Sequence, residues 1–183
     1  VLPGDMYPDV PGSHVHGALF DEDTCQRGAS DVLTDPEGAR IVASTGVNNI
    51  PLLVVDDIRA VLGRVSAAIY GNPSYDVPVI GITGTSGKTT TSYLIESAFR
   101  TAGHSVGMIG TTGSRINGVR VPSSLTTPEA PDLQRLFATM RDDGVQRIVM
   151  EVSSHSLLLG RVGGTRYRIG AFLNLSQDHL DFH

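Results

Sequence analysis

The fold is decided by the stretch at residues 77–90, which reads VPVIGITGTSGKTT. Its first half is apolar and is bounded by turn residues, which is typical of a buried strand. The run at 91–102 ends before Gly103 and should form a helix, with an apolar face of Leu94, Ile95, Ala98, Phe99 and Ala102. A phosphate-binding loop is built from a strand, a glycine-rich turn, a lysine, a hydroxyl and a helix, in that order.

The residue types in this loop suit a nucleotide. Glycines let backbone N–H groups converge on an anion, and the following helix adds its N-terminal partial charge. We expect the ammonium of Lys88, the only lysine of the chain, at the β- and γ-phosphates and the Thr89 hydroxyl on Mg²⁺. The residues predicted to bind ATP are Gly84, Thr85, Ser86, Gly87, Lys88, Thr89 and Thr90. The alternative is an ordinary glycine turn, since the motif is the short form G-x-x-G-K-T, with Ile82 where the longer form begins with glycine.

Composition excludes several classes of protein. The formal net charge is −5 and the chain has no run of Lys or Arg, which argues against nucleic acid or an anionic membrane as the main partner. No apolar stretch approaches the ~20 residues that span a bilayer, so we expect no membrane insertion. Cys25 is the only cysteine, which excludes an internal disulfide framework and favours a reducing, cytoplasmic compartment.

Turn residues at 70–76 separate two regions of the chain. Before them we expect short strands at 32–33 and 52–55, whereas the start of the chain leaves little room for an opening strand. A helix capped by Asp56 or Asp57 should follow. Its predicted apolar stripe consists of Ile58, Val61, Leu62, Val65 and Ile69.

After the turn, apolar strands at 105–110, 147–152 and 171–175 alternate with helical patterns, one of which ends at Gly144. Such alternation predicts a mainly parallel sheet covered on both faces. The predicted fold class is therefore α/β. We expect a small N-terminal α/β domain at 1–72 and a P-loop central domain at 77–183.

Polar residues cluster at the ends of the later strands. Ligands of parallel sheets bind beyond the carboxyl ends of the strands, so Glu151 is predicted to hold Mg²⁺, the alternative being a solvated acid. Ser153, Ser154 and His155 follow it after Val152. A serine hydrolase is disfavoured because no G-x-S-x-G elbow is present; instead one hydroxyl should cap a short helix and another should contact substrate.

Two threonines, Thr126 and Thr127, precede Pro128 and a predicted helix. A helix N-cap explains one of them, and substrate contact remains open for the other.

Four segments, in order and spacing, resemble the Mur ligases of peptidoglycan synthesis, and among them the members that add the third residue of the peptide. These segments are residues 84–90, 125–129, 150–155 and 174–183. The resemblance is strong over 77–183 and weak over 1–70. It implies that ATP phosphorylates a carboxylate of UDP-N-acetylmuramoyl-L-alanyl-D-glutamate, and that the amine of a diamino acid then attacks the acyl phosphate. The segment at 158–162 resembles actinobacterial members of the family, which favours meso-diaminopimelate as the added diamino acid, with L-lysine as the alternative.

The resemblance also implies roles for individual residues. Lys88, Glu151 and His179 would be catalytic, with Thr89 and Glu151 on one Mg²⁺ and His179 on a second. The residues implied to contact substrate are Ser13, His14 and Val15 at the uridine diphosphate, and Thr126, Thr127, Ser153 and Arg161 at the muramoyl dipeptide. A cytoplasmic enzyme of cell-wall biogenesis, monomeric at full length, is implied as well.

Some features depart from the family. Residues 7–11, which include Pro8, replace a smoother apolar strand, so we expect that strand to be weakened or to lie at a sheet edge. Gln177 stands where an arginine is common in the family. Leu159 stands where a glutamine is common, so the substrate contact of that glutamine is not carried over to Leu159. The family has three domains, so we expect this chain to lack the start of the first, the end of the second and all of the third, and not to complete the ligation alone. The alternatives are a truncated nucleotide-binding module and an unrelated P-loop NTPase or kinase. A dinuclear metallohydrolase built on residues 178–183 is disfavoured, because no second His/Asp cluster accompanies them.

Overall fold

The computed structural model describes residues 1–12, 15–45, 50–121 and 125–177. The chain divides into two compact units, Val1–Val61 and Leu62–His183. The division falls within one continuous helix, α3 (Ile58–Ile69), whereas the sequence pattern suggested a boundary in the turn at 70–76.

The first unit contains a parallel three-stranded sheet in the order β1-β2-β3. Its elements are β1 (Met6–Pro8), a 3₁₀ helix (Gly17–Phe20), α1 (Asp21–Gln26), β2 (Asp31–Thr34), α2 (Pro36–Thr45) and β3 (Leu52–Val54). The proline-containing strand β1 lies at an edge, which confirms that prediction. Helix α2 was not predicted, although Asp35 followed by Pro36 is a helix-start signal.

The second unit contains a six-stranded sheet in the order β7-β6-β5-β8-β4-β9. Its strands are β4 (Val79–Thr83), β5 (Val106–Ile109), β6 (Ser114–Ile116), β7 (Val119–Val121), β8 (Arg147–Glu151) and β9 (Tyr167–Phe172). Its helices, besides most of α3, are α4 (Pro73–Asp76), α5 (Lys88–Thr101), α6 (Ala130–Asp142) and α7 (Ser154–Leu158). Strands β5, β8, β4 and β9 are parallel, which confirms the predicted α/β class with a mainly parallel sheet.

The antiparallel hairpin β6–β7 was missed. Its turn is Asn117-Gly118, with φ angles of 52° and 83°, and Asn-Gly is the preferred pair for such a turn. The three-residue strands that flank the turn are too short to show an alternating pattern in the sequence.

Helices cover both faces of the large sheet. Phe137 and Met140 of α6 are fully buried against Ile148 and Met150 of β8, on one face. On the other face α5 packs over β4, β5 and β8. Val149 of β8 is buried on this second face. This two-sided cover explains why the central strands read as continuous apolar runs.

The predicted helix faces were partly wrong. Helix α5 begins at Lys88, and Leu94 of the predicted apolar face is 66% exposed, whereas Ser92 and Glu96 are buried. Glu96 faces inward because Arg115, on the unpredicted strand β6, pairs with it at 3.3 Å. Ile69, at the end of the stripe expected on α3, is 60% exposed.

The strand register brings the carboxyl ends of strands β4, β5 and β8 to the same edge of the sheet. Glu151 of β8 pairs with Ile82 of β4, and Ile109 of β5 pairs with Met150. The loops after β4, β5 and β8 therefore leave the sheet side by side. None of the helices in the described part of the chain is long and apolar enough to cross a membrane.

Candidate phosphate and metal site

The loop between β4 and α5 turns at Gly84 and Gly87, whose φ angles are 137° and 86°. The left-handed backbone at Gly87 favours glycine, and α5 begins at the next residue. No side chain in the described residues caps this helix start, so its first N–H groups remain available. Together with the partial positive charge of the helix, these N–H groups suit an anion such as a phosphate.

The ammonium of Lys88 lies against this loop. Its Nζ donates to the carbonyl oxygens of Gly84 at 2.6 Å and Thr85 at 3.0 Å. The only lysine of the chain is therefore held at the glycine-rich turn, within the segment that was predicted to bind phosphate.

The segment after β9 holds the loop in place. The side chain of Asn174 bonds Ser86 in both directions: Oδ1 accepts from the Ser86 N–H and Nδ2 donates to the Ser86 carbonyl, each at 2.9 Å. The Thr85 hydroxyl likewise accepts from the N–H of Ser176 at 3.0 Å and lies 3.2 Å from its carbonyl. We call residues 174–176 the loop clamp, because these bonds restrict the backbone of the phosphate loop.

The carboxylate of Glu151 is completely buried and is surrounded by donors. Oε2 accepts from the Thr89 hydroxyl at 2.9 Å and from the Thr111 hydroxyl at 3.1 Å. Oε1 accepts from the Thr111 N–H at 3.0 Å. Hydrogen bonds of this kind offset the cost of burying a charge and hold the carboxylate in one orientation.

The residues at this point fit Mg²⁺. Hydroxyl and carboxylate oxygens are its preferred protein ligands, and those of Thr89 and Glu151 meet at the first turn of the helix after the phosphate loop. Across the described ranges no group of three or more His, Cys, Asp or Glu side chains could hold a metal alone. This donor set is thus typical of an ion held jointly by the protein and by phosphate oxygens.

Three of the predicted substrate residues gather around the end of β8. The Thr127 hydroxyl donates to the Glu151 carbonyl at 3.0 Å and accepts from the Ser153 N–H at 3.3 Å. The Thr126 hydroxyl lies 3.3 Å from that of Thr111. Glu129, not a threonine, is the N-cap residue of α6, so the expectation that one threonine caps this helix was wrong.

Ser153 and Arg161 are also engaged with neighbouring residues. The Ser153 hydroxyl accepts from the Ser156 N–H at 3.2 Å and caps α7, as predicted for one hydroxyl of this segment. The guanidinium of Arg161 forms an ion pair with Glu129 at 2.7 Å and donates to the Thr127 carbonyl at 3.4 Å. The structure therefore brings Thr126, Thr127, Ser153 and Arg161 into one connected group with Glu151.

Four further site residues were predicted from the family resemblance. Ser13, His14 and His179 lie outside the described residues. Val15 belongs to the first unit, where its side chain is 51% exposed.

Sequence reasoning assigned no role to Gly110, Thr111 or Asn174. The first two come directly after strand β5, and a polar residue just past the carboxyl end of a parallel strand was an available signal. Asn174 lay inside the strand expected at 171–175, and no local pattern links it to Ser86, which is 88 residues away.

Comparison with known proteins agrees with this geometry. Residues 82–183 match the model of the Mur ligase middle domain. The chain belongs to the Mur ligase family. It is 57% identical, over 97% of its length, to the UDP-N-acetylmuramoyl-L-alanyl-D-glutamate--2,6-diaminopimelate ligase of Corynebacterium glutamicum, and covers 34% of that protein. It is 54% identical, over its whole length, to the ligase of the same name from Streptomyces avermitilis and covers 35% of it.

Solved Mur ligases share this fold. A structure of a UDP-N-acetylmuramoyl-L-alanyl-D-glutamate--2,6-diaminopimelate ligase superposes with a TM-score of 0.77 at 26% identity, covering all of this chain and 36% of that one. MurF ligase from Thermotoga maritima, solved in complex with ADP, has a TM-score of 0.64 at 22% identity, again over the whole chain and 37% of its own length. This Mur ligase chain therefore spans about a third of the length of the relatives it matches.

Proposed function

We propose that this chain is part of an ATP-dependent Mur ligase that joins a diamino acid, meso-diaminopimelate, to UDP-N-acetylmuramoyl-L-alanyl-D-glutamate. One observation carries the proposal: the Thr89 hydroxyl and the buried Glu151 carboxylate meet at 2.9 Å beside a phosphate loop. The substrate assignment is supported by 57% identity to a relative whose name states that reaction.

The reaction needs charge neutralisation more than covalent chemistry from the protein. ATP transfers its γ-phosphoryl group to a carboxylate of the dipeptide, and the amine of the diamino acid displaces phosphate from the acyl phosphate to form an amide. Lys88 and the N–H groups at the start of α5 would bind the β- and γ-phosphates. Phosphoryl transfer passes through a loose transition state, so the contribution of these residues is mainly positioning and electrostatic stabilisation.

Thr89 and Glu151 would hold Mg²⁺, which on binding would neutralise charge between the phosphate oxygens. The implied second ion at His179, and the uridine diphosphate contacts of Ser13, His14 and Val15, are part of the same proposal. So are an N-terminal substrate-binding domain at 1–72, a central domain at 77–183, a cytoplasmic location and a monomeric full-length protein.

We assign the dipeptide to the group around the end of β8. Thr126 offers the lone pairs of its hydroxyl, and the guanidinium of Arg161 offers N–H donors. Arg161 suits a carboxylate of the substrate because its planar fork can bind two oxygens. Thr127 and Ser153 would act mainly by shaping this pocket, since both hydroxyls are engaged within the protein.

The test is amide formation by the full-length protein that contains this segment, measured as ligated product from the UDP-linked dipeptide, ATP and each diamino acid. We expect product with meso-diaminopimelate and no ADP release in the absence of the UDP-linked dipeptide. Lys88→Ala should remove nucleotide binding, whereas Arg135→Ala, which changes an exposed arginine on α6, should leave it intact. ADP release that needs no UDP-linked substrate would favour an unrelated kinase or NTPase instead.

The second candidate is a nucleotide-binding module without ligase activity. It is favoured by the content of the chain, since the phosphate loop and the Thr89–Glu151 contact both lie within it, whereas the chain covers only about a third of its relatives. We expect the isolated chain of 183 residues to bind ATP without forming amide. Amide formed by this polypeptide alone would contradict that expectation.

A further inference from the structure

We propose that Gly110 and Thr111 form a cradle that positions the Glu151 carboxylate for its metal ion, with Thr111 as a positioning residue. The inference rests on the proposed function, because it takes Glu151 as a metal ligand. Nothing in the sequence motifs of the site points to these two residues, which lie in the loop after β5.

Thr111 contacts both oxygens of the carboxylate. Its N–H donates to Oε1 at 3.0 Å and its hydroxyl donates to Oε2 at 3.1 Å. Two bonds from one residue restrict rotation of the carboxylate about its last torsion, which is otherwise soft. The two bonds from Thr111 and the one from the Thr89 hydroxyl occupy three of the roughly four acceptor sites of the Glu151 carboxylate, which leaves one site for a cation.

Gly110 provides the space for the carboxylate. A Cβ atom at this position would lie 2.2 Å from Oε1 and 2.9 Å from Cδ of Glu151, so a side chain and the carboxylate cannot both occupy it. The strand register explains the proximity: Ile109 pairs with Met150, so Gly110 and Glu151 are the next residues on two adjacent parallel strands.

The cradle also connects the metal carboxylate to the loop proposed to bind substrate. The single hydroxyl proton of Thr111 goes to Glu151, so in the 3.3 Å contact between Thr111 and Thr126 the donor is Thr126. The hydroxyls of Thr126 and Thr111 thus form a chain that ends on Oε2 of Glu151. Movement of the Thr126 loop on substrate binding would act on the metal site through Thr111.

The test compares Thr111→Val with Thr111→Ser in the full-length protein. Mn²⁺ serves as the probe, and its affinity in the presence of ATP is measured by electron paramagnetic resonance. We expect Thr111→Val to weaken Mn²⁺ binding by about tenfold or more, which is the usual effect of losing a partner that orients a metal ligand. Thr111→Ser keeps the hydroxyl and should stay within about threefold of wild type. Binding of ATP without metal should be the same in all three proteins.

The matched control is Thr112→Val, since the hydroxyl of Thr112 pairs with that of Tyr93 at 2.9 Å and not with Glu151. It should leave Mn²⁺ affinity unchanged. Gly110→Ala should lower Mn²⁺ affinity as well, because the added methyl group displaces the Glu151 carboxylate. The thermal melt of this variant shows whether it folds. If it does not fold, Thr111→Val alone decides the question.

The outcomes separate the cradle from the proposed function. If wild-type ATP binding responds to Mn²⁺ and Thr111→Val binds the ion as tightly as wild type, the cradle is refuted and the proposed function stands. If wild-type ATP binding does not respond to metal at all, the proposed function fails and the role of the cradle fails with it.

Discussion

The small parallel sheet and the mainly parallel large sheet have similar apolar strands, but those strands are buried to very different extents. In the large sheet the central strands β4, β5 and β8 are buried almost throughout. In the small sheet β2 is buried, but Leu52, Leu53 and Val54 of β3 are 37–49% exposed. An apolar run therefore predicts a strand without predicting how many layers cover it.

The sheets also differ in the polar groups at the carboxyl ends of their strands. After β2, the Asp35 carboxylate accepts from the N–H groups of Glu37 and Gly38 and from the ring of His16 at 3.2 Å, so these polar groups satisfy one another locally. At the same end of the large sheet, Thr89, Thr111 and Glu151 converge on one point. Strand ends become a candidate site where the register brings several loops together, and a simple helix cap where it does not.

The largest effect should come from the core of the large sheet. Phe137→Ala is expected to lower the free energy of unfolding by about 3–5 kcal/mol, because Phe137 is completely buried and its removal leaves a cavity. Urea denaturation followed by circular dichroism measures this, since the chain has no tryptophan. A loss below about 1 kcal/mol would mean that the cover of the large sheet is loose.

The loop clamp should show a smaller, functional effect. Asn174→Ala removes both bonds to Ser86, and at about 1 kcal/mol for each bond ATP affinity should fall by about tenfold or more. Calorimetric titration of ATP into the full-length protein measures it. Ser30→Ala, which removes an exposed hydroxyl in the first unit, is the control and should bind ATP as wild type does. Unchanged affinity of the Asn174 variant would mean that the loop holds its shape without the clamp.

Asp35, which caps the helix after β2 in the small sheet, should contribute less to the stability of the fold, and its contribution should depend on pH. Burial acts to raise the pKa of Asp35, but the donors Gly38, His16 and Glu37 outweigh it, so the pKa lies below its usual value. A lowered pKa stabilises the fold above the unfolded-state value of about 4, and this contribution is lost as pH falls through the folded-state value. Asp35→Ala should therefore cost about 1 kcal/mol at pH 7 and less at acidic pH.

Denaturation of wild type and variant at pH 7 and near pH 3 measures this difference. Asp35→Asn is the control, because an amide oxygen can still accept from the helix N–H groups and asparagine is a good N-cap residue. An equal cost of Asp35→Ala at both pH values would show that the charge of this carboxylate contributes nothing.

The smallest effect should come from the exposed strand β3. Leu53→Ser is expected to change the free energy of unfolding by no more than about 0.5 kcal/mol, as is usual for exposed positions. Leu33→Ser on the neighbouring strand is the matched comparison, since Leu33 is fully buried and should cost several times more. A loss above about 2 kcal/mol at Leu53 would show that β3 is covered after all.

Local signals predicted most of the framework. The strand at 79–83, the glycine-rich loop, the helix ends at Gly103 and Gly144 and a hydroxyl cap on the short helix after β8 arise from interactions between near neighbours in sequence. The burial of Ser92 and Glu96 on α5 and the β6–β7 hairpin were missed. Glu96 reads as a solvent-facing acid until Arg115 is known to lie opposite, and that contact depends on the hairpin.

The sequence by itself determined the α/β class, the family resemblance, the phosphate loop and the acid at the end of β8, because each can be read from short local patterns and from their order along the chain. Only the tertiary structure decided that Thr111 holds Glu151, that Gly110 leaves room for its carboxylate, and that Asn174 clamps the loop at Ser86. The reason is physical: these contacts depend on strand order and register, and pairing between strands distant in sequence is not encoded in any local pattern.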